Sequence, residues 1–321
     1  MTRILVNRQI PDAQKQRLTE KFSDTEFVWA DPGDSLDKLA AAGADCEIIL
    51  GGDSRPLIEK ILSAPNRLRW VQSWFAGVNH LPLEMMREHH VQLTRAGGVS
   101  VNPITETVIA LMIMLTRDMG QMGRQQSARE WKQLDWPDEI TGKTVGILGM
   151  GVIGNGIAKI CKAFNMKVWG LQKTAKPNKQ ADRIVDFNGL GDLLSNSDFV
   201  VNILPLTAQT TNLMDEARFR QMKSDSYYIN VGRGGTTDTN AMIKALQEGW
   251  IRGAGLDVFS EEPLPKDNPL WELDRVIVLP HQAGFTSKYQ DRVLEIFIRN
   301  YERFLAGDPL DENQVDLDKE Y

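Results

Sequence analysis

Three ionisable side chains in the last third of the chain carry complementary chemistry: Arg233, Glu262 and His281. A guanidinium binds a carboxylate bidentately, which fixes an acid and polarises a carbonyl beside it. Imidazole exchanges its proton near neutral pH, so a histidine at position 281 suits protonation of a ketone oxygen as a hydride arrives. A carboxylate bonded to that ring, here Glu262, favours the charged imidazole and fixes its orientation. Each residue alone has an ordinary explanation: a surface arginine, a solvated Glu261–Glu262 pair, a core histidine. Their placement along the chain raises the set above those explanations.

The stretch that organises that placement is Thr144-Val145-Gly146-Ile147-Leu148-Gly149-Met150-Gly151-Val152-Ile153-Gly154. A short apolar run bounded by glycines reads as a buried strand. Gly149, Gly151 and Gly154 take the G-x-G-x-x-G spacing around Val152 and Ile153, a helix-like segment follows over residues 157–164, and a second strand over 166–171. One glycine serves the tight turn, one lets backbone approach a pyrophosphate, and one lets helix and strand pack closely. The pyrophosphate then sits on free N–H groups at the helix N-terminus, so a dinucleotide site is expected.

Further strands are expected over residues 198–204, 227–231, 253–259 and 276–279, each ending in a polar or glycine-rich segment. In a doubly wound parallel sheet those ends share one edge, which predicts that Pro205, Arg233, Asp257 and His281 meet around one crevice. The first hundred residues also alternate strands (3–7, 26–29, 47–52, 68–73) with helices (12–22, 35–42, and near 57–61), predicting a separate small α/β domain. Its loop 73–81 follows a strand, and Ala76-Gly77 offers backbone N–H groups to a carboxylate or, equally, a turn that needs glycine. His80, His89 and His90 read as solvated or core-satisfied histidines.

Residues 103–115 read as a helix hydrophobic around most of its circumference, expected to be buried between domains or subunits. The polar segment 117–138, with Trp131 and Trp136, reads as a helix and loop packing on a neighbouring surface, and Met112, Met114, Met119 and Met122 as core or interface filling.

At 321 residues the chain suits two domains. A formal net charge of −6 without a Lys/Arg block gives nucleic acid no basic surface. The N-terminus lacks a signal-peptide pattern and no apolar run is long enough for a bilayer, so no membrane partner is expected. Cys46 and Cys161 lie far apart in apolar contexts and read as buried free thiols of a cytoplasmic protein, with no metal-ligand pattern.

NAD-selective sites carry an acidic residue at the end of the second strand. Here that strand ends in Gln172, followed by Lys173, Thr174 and Lys176. An amide with ammonium groups nearby tolerates a 2′-phosphate that a carboxylate repels. NADP(H) is therefore the favoured cofactor, with NAD(H) the alternative.

Asn230-Val231-Gly232-Arg233-Gly234, Leu256-Asp257-Val258-Phe259-Ser260-Glu261-Glu262-Pro263-Leu264 and Pro280-His281-Gln282-Ala283-Gly284 resemble signatures of the D-isomer-specific 2-hydroxyacid dehydrogenases, and the similarity spans almost the whole chain. The resemblance implies that Arg233 binds and activates substrate, that His281 is the acid/base with Glu262 its partner, and that Ala76 and Gly77 hold the substrate carboxylate. It implies a cofactor role for Pro205, Thr210, Val231, Gly232, Asp257, which bonds the carboxamide, and Gly284. Formate dehydrogenases share the fold but pair the histidine with glutamine, where this chain has Glu262. The Gln172-Lys173-Thr174 segment looks like that of the NADP-using glyoxylate/hydroxypyruvate reductases.

That family has a flavodoxin-like substrate domain, here residues 1–99 and 289–321, around a Rossmann dinucleotide domain, here 100–288. It implies a homodimer and domain closure that excludes water during reduction of a 2-oxo acid to a D-2-hydroxy acid. A corepressor-like protein that senses cofactor on the same fold is the alternative.

Overall fold

The structure, a computed structural model, describes residues 1–317 apart from Asn79 and Trp136. Those two positions, named above in the 73–81 loop and the tryptophan segment, and residues 318–321 lie outside the described residues. The chain divides into two compact units: Met1–Val99 together with the segment from Ser287, and Ser100–Thr286.

In the first unit, β1 (Thr2–Val6), β2 (Thr25–Trp29), β3 (Ile48–Leu50), β4 (Trp70–Gln72) and β5 (Gln92–Thr94) form a parallel sheet in the order β2-β1-β3-β4-β5. This is a doubly wound order that reverses between β1 and β3. Ile4, Val6, Ile48, Leu50 and Trp70 enter one core, and Leu5, Ile49, Val71 and Leu93 the other. Burial on both faces explains why these strands read as apolar runs without alternation. The helix Tyr289–Ala306 returns to this sheet, burying Val293, Leu294 and Tyr301 and stacking Phe297 on Trp70 with ring centroids 5.3 Å apart. Packing of that apolar face joins the end of the chain to its beginning.

In the second unit, β6 (Thr144–Leu148), β7 (Lys167–Leu171), β8 (Arg183–Val185), β9 (Phe199–Asn202), β10 (Tyr227–Asn230), β11 (Gly253–Leu256) and β12 (Val276–Val278) run in the order β12-β11-β10-β9-β6-β7-β8. All pairs are parallel, and the order reverses between β6 and β9. The strands β5 and β8 had no counterpart among the sequence expectations, because three residues carry too little periodicity to read.

Two helices depart from expectation. The helix expected from residue 157 begins at Val152; Gly154, Gly156 and a Val152 side chain left in solvent hide its first turns. The helix expected to be buried all round, Val101–Thr116, buries Leu111, Met112 and Leu115 but leaves Ile109, Ile113 and Met114 half-buried and Ala110 exposed within its unit.

Candidate active site

The second sheet reverses between β6 and β9, where doubly wound sheets bind ligands beyond the strand carboxyl ends. After β6 the chain turns at Gly149, whose φ of +112° favours glycine. The 12-residue helix Val152–Ala163 then starts on Gly151 without a side-chain cap, so its first N–H groups stay free of intrahelical partners. A Cβ at Gly154 would stand 2.3 Å from the Gly149 carbonyl oxygen, while one at Gly151 would meet nothing within 4 Å. Gly154 therefore serves packing, and Gly151 keeps space open beside a positive helix end. The residues fit a pyrophosphate.

At the end of β7, the Gln172 side chain donates to the Met150 carbonyl at 3.2 Å. This fastens the amide to the glycine turn, with Lys173, Thr174 and Lys176 exposed beyond it. Beyond β9, Pro205 is exposed, and the buried Thr210 hydroxyl donates to its carbonyl at 2.6 Å and accepts the Thr207 N–H at 2.8 Å. Thr210 thus shapes the loop that carries Pro205.

Beyond β10, Val231 and Gly232 are buried and Arg233 is exposed. Asn230 accepts the Gly232 N–H at 3.1 Å, and the Thr236 hydroxyl donates to the Arg233 carbonyl at 2.6 Å. Asn202 in turn donates to Tyr228 at 2.8 Å and to Thr236 at 2.9 Å. A satisfied buried network of this kind fixes the backbone on both sides of the arginine. Sequence reading missed it, since polar residues at strand ends carry no signal of what they bind.

Asp257 follows β11 and is 2% exposed. Its two oxygens accept the backbone N–H groups of Gln282 at 2.7 Å and Ala283 at 3.0 Å. Burial pushes this carboxyl up, against the opposing pull of those bonds and of the His281 charge. Asp257 therefore clamps the loop on which His281 adopts a left-handed φ of +53°. Gly284 closes that loop, its carbonyl accepting from Ser100 at 3.1 Å.

Glu262 meets His281 directly, Oε2 to Nδ1 at 2.7 Å, while its Oε1 accepts the Phe259 N–H at 2.9 Å. Partial burial pushes the Glu262 carboxyl up, but the bonds from His281 and Phe259 and the charges of His281 and Arg233 outweigh it. The group lies below the usual carboxylate range. Arg233 acts on the pair through its charge, and its guanidinium donates to the Gly232 carbonyl at 2.7 Å.

In the first unit, residues 75–77 of the loop after β4 are exposed. The Trp74 carbonyl accepts from Tyr289, that of Phe75 from the Ala96 N–H, and that of Ala76 from Arg95. Among the described residues the N–H groups of Ala76 and Gly77 have no partner, leaving two adjacent donors. His80, His89 and His90 are exposed, both cysteines are buried free thiols, and the described residues contain no metal-ligating cluster. No helix among them is long and apolar enough to cross a membrane.

Residues 109–283 match the family model of the D-isomer specific 2-hydroxyacid dehydrogenase NAD binding domain. The chain is 31% identical over 315 residues to glyoxylate reductase of Pyrococcus horikoshii, covering 95% of this chain and 93% of that one. A D-isomer specific 2-hydroxyacid dehydrogenase family protein from Aeromonas salmonicida has a similar structure, with TM-score 0.83 and 31% identity over 98% of this chain and 99% of that one. So does an NADPH-dependent glyoxylate/hydroxypyruvate reductase from Sinorhizobium meliloti, solved with NADP and sulfate, with TM-score 0.80 and 28% identity over the full length of both chains.

Proposed function

We propose a function from the premise that this chain belongs to the D-isomer-specific 2-hydroxyacid dehydrogenase family: it reduces a small 2-oxo acid to the D-2-hydroxy acid, using NADPH. The observation that carries this reading is the 2.7 Å contact between Glu262 and His281, on the same carboxyl edge of the sheet as a glycine turn that fits a pyrophosphate. The nicotinamide cofactor, when bound, supplies the hydride. Gly149, Gly151, Val152, Ile153 and Gly154 hold its pyrophosphate, with Pro205, Thr210, Val231, Gly232, Asp257 and Gly284 along the remainder. Gln172, Lys173 and Thr174 meet the ribose that carries the 2′-phosphate, and the absence of a carboxylate at the end of β7 supports NADPH over NADH.

Arg233 binds the substrate carboxylate and polarises the adjacent carbonyl. Ala76 and Gly77 donate their free N–H groups to the same class of anion. His281 gives its proton to the C2 oxygen, and the ionised Glu262 holds the ring and favours its charged form. Residues 1–99 with 289–321 form the substrate domain and 100–288 the dinucleotide domain. The half-buried Ile109, Ile113 and Met114 and a Trp131 that is 99% exposed support a homodimer, and the two free thiols support a cytoplasmic protein.

The test is the initial rate of NADPH and NADH oxidation with glyoxylate, hydroxypyruvate, pyruvate and a branched-chain 2-oxo acid. Turnover favouring NADPH is expected. Absence of turnover with all four substrates overturns the enzymatic reading in favour of a cofactor-sensing protein.

A further inference from the structure

The first unit holds a charged cluster around a buried carboxylate at the carboxyl edge of its sheet that none of the roles above uses. Arg8 follows β1, Asp53 follows β3 and Ser73 follows β4, so the three surround the β1/β3 reversal of that sheet. The Asp53 side chain is 2% exposed. It takes an ion pair from Arg8 Nη2 at 3.0 Å, a hydrogen bond from the Ser73 hydroxyl at 2.5 Å, and the Trp74 N–H at 3.0 Å to either oxygen. Ser73 Oγ then accepts the Phe75 N–H at 3.1 Å, and the Arg8 guanidinium lies over the Phe75 ring, 5.0 Å from its centroid. Gly51 makes this possible, because a Cβ there would stand 2.4 Å from Arg8 Cγ.

The consequence lies one peptide further on. Asp53 consumes the N–H of Trp74, and through Ser73 it consumes that of Phe75, so the next two N–H groups, those of Ala76 and Gly77, are the ones left to a ligand. A buried carboxylate is costly unless it is fully bonded, and here every bond it accepts aligns the loop or neutralises its charge. We propose that Asp53, with Arg8 as its counter-charge, is the positioning residue that aims the Ala76 and Gly77 N–H pair at the substrate carboxylate. This rests on the reading of the loop given under Proposed function, and it assigns the determinant of acid affinity in the first unit to residues that do not touch the acid.

The test compares wild type, Asp53→Asn and Ser73→Ala, which removes the hydroxyl that links Asp53 to the Phe75 N–H. Asparagine keeps the shape but not the charge, and places an NH2 against groups that donate. Oxalate, an isostere of the 2-oxo acid carboxylate, is titrated calorimetrically into protein saturated with NADPH, and KM for glyoxylate is measured beside the Kd for NADPH. For Asp53→Asn we expect oxalate affinity to fall about tenfold or more and KM for glyoxylate to rise in parallel, with the NADPH Kd within about twofold. Ser73→Ala is expected to give a smaller change in the same direction. Unchanged oxalate affinity in Asp53→Asn overturns the proposal. If that variant does not fold, unchanged oxalate affinity in Ser73→Ala overturns it. A wild type that binds oxalate without turning over any 2-oxo acid, and loses that binding in Asp53→Asn, overturns the assigned reaction and leaves the positioning role standing.

Discussion

A Cβ on Gly234 would stand 1.9 Å from the carbonyl carbon of Phe259. The backbone that carries Arg233 therefore lies directly against the backbone that leads to Glu262, with no side chain between them. This contact is why the charge of Arg233 reaches the Glu262 carboxylate although β10 and β11 deliver the two residues on different loops. Gly234→Ala is expected to destabilise the protein by about 1–3 kcal/mol. It should also lower kcat/KM with 2-oxo acids. A melting temperature and kcat/KM both equal to wild type would refute the reading of this contact.

Two other glycines should separate folding from binding. Gly151→Ala places its methyl in open space at a φ of −85°, so the melting temperature without ligand should stay at the wild-type value while NADPH affinity falls. Gly154→Ala drives a methyl towards the Gly149 carbonyl and should lower the melting temperature itself. Thermal melts with and without NADPH check both, and equal behaviour of the two variants would contradict the division of labour.

His281→Ala should reduce turnover by about 10²–10⁴ while leaving the NADPH Kd near wild type. Near-normal turnover would remove His281 as the proton donor.

Glu262 gives a pH dependence whose sign follows from its lowered pKa. A carboxyl held lower in the folded than in the unfolded chain contributes stability that is complete above the ordinary glutamate value. That contribution fades as pH falls through the lower folded value. The melting-temperature advantage of wild type over Glu262→Gln should therefore be full above the ordinary glutamate range and shrink as pH falls below it. A difference independent of pH would mean that the Glu262–His281 contact contributes no charge-dependent stability.

Gln172→Asp should move selectivity from NADPH toward NADH, since a carboxylate at the end of β7 accepts the ribose hydroxyls and repels a 2′-phosphate. The ratio of kcat/KM for the two cofactors measures it. A ratio unchanged by the substitution would detach selectivity from this position.

Much of this was legible from residue order. Strand, glycine turn and helix at 144–163 follow one another locally, and local order is what a sequence records directly. Arg233, Glu262 and His281 could be picked out because their chemical types suit one reaction and they fall at or just beyond strand ends. What residue order does not carry is the partner of each polar group. That the two oxygens of Asp257 hold the Gln282 and Ala283 N–H groups, that Asn202 reaches Thr236 from the neighbouring strand, and that Asp53 holds the Trp74 N–H are all contacts between separate strand ends. Only the order of strands in each sheet decides which ends become neighbours, because pairing is set by burial of both sheet faces and by close backbone approach at positions such as Gly234. The same holds for the helix Val101–Thr116, whose apolar residues are evident in the sequence but whose buried side is chosen by the sheet it packs on.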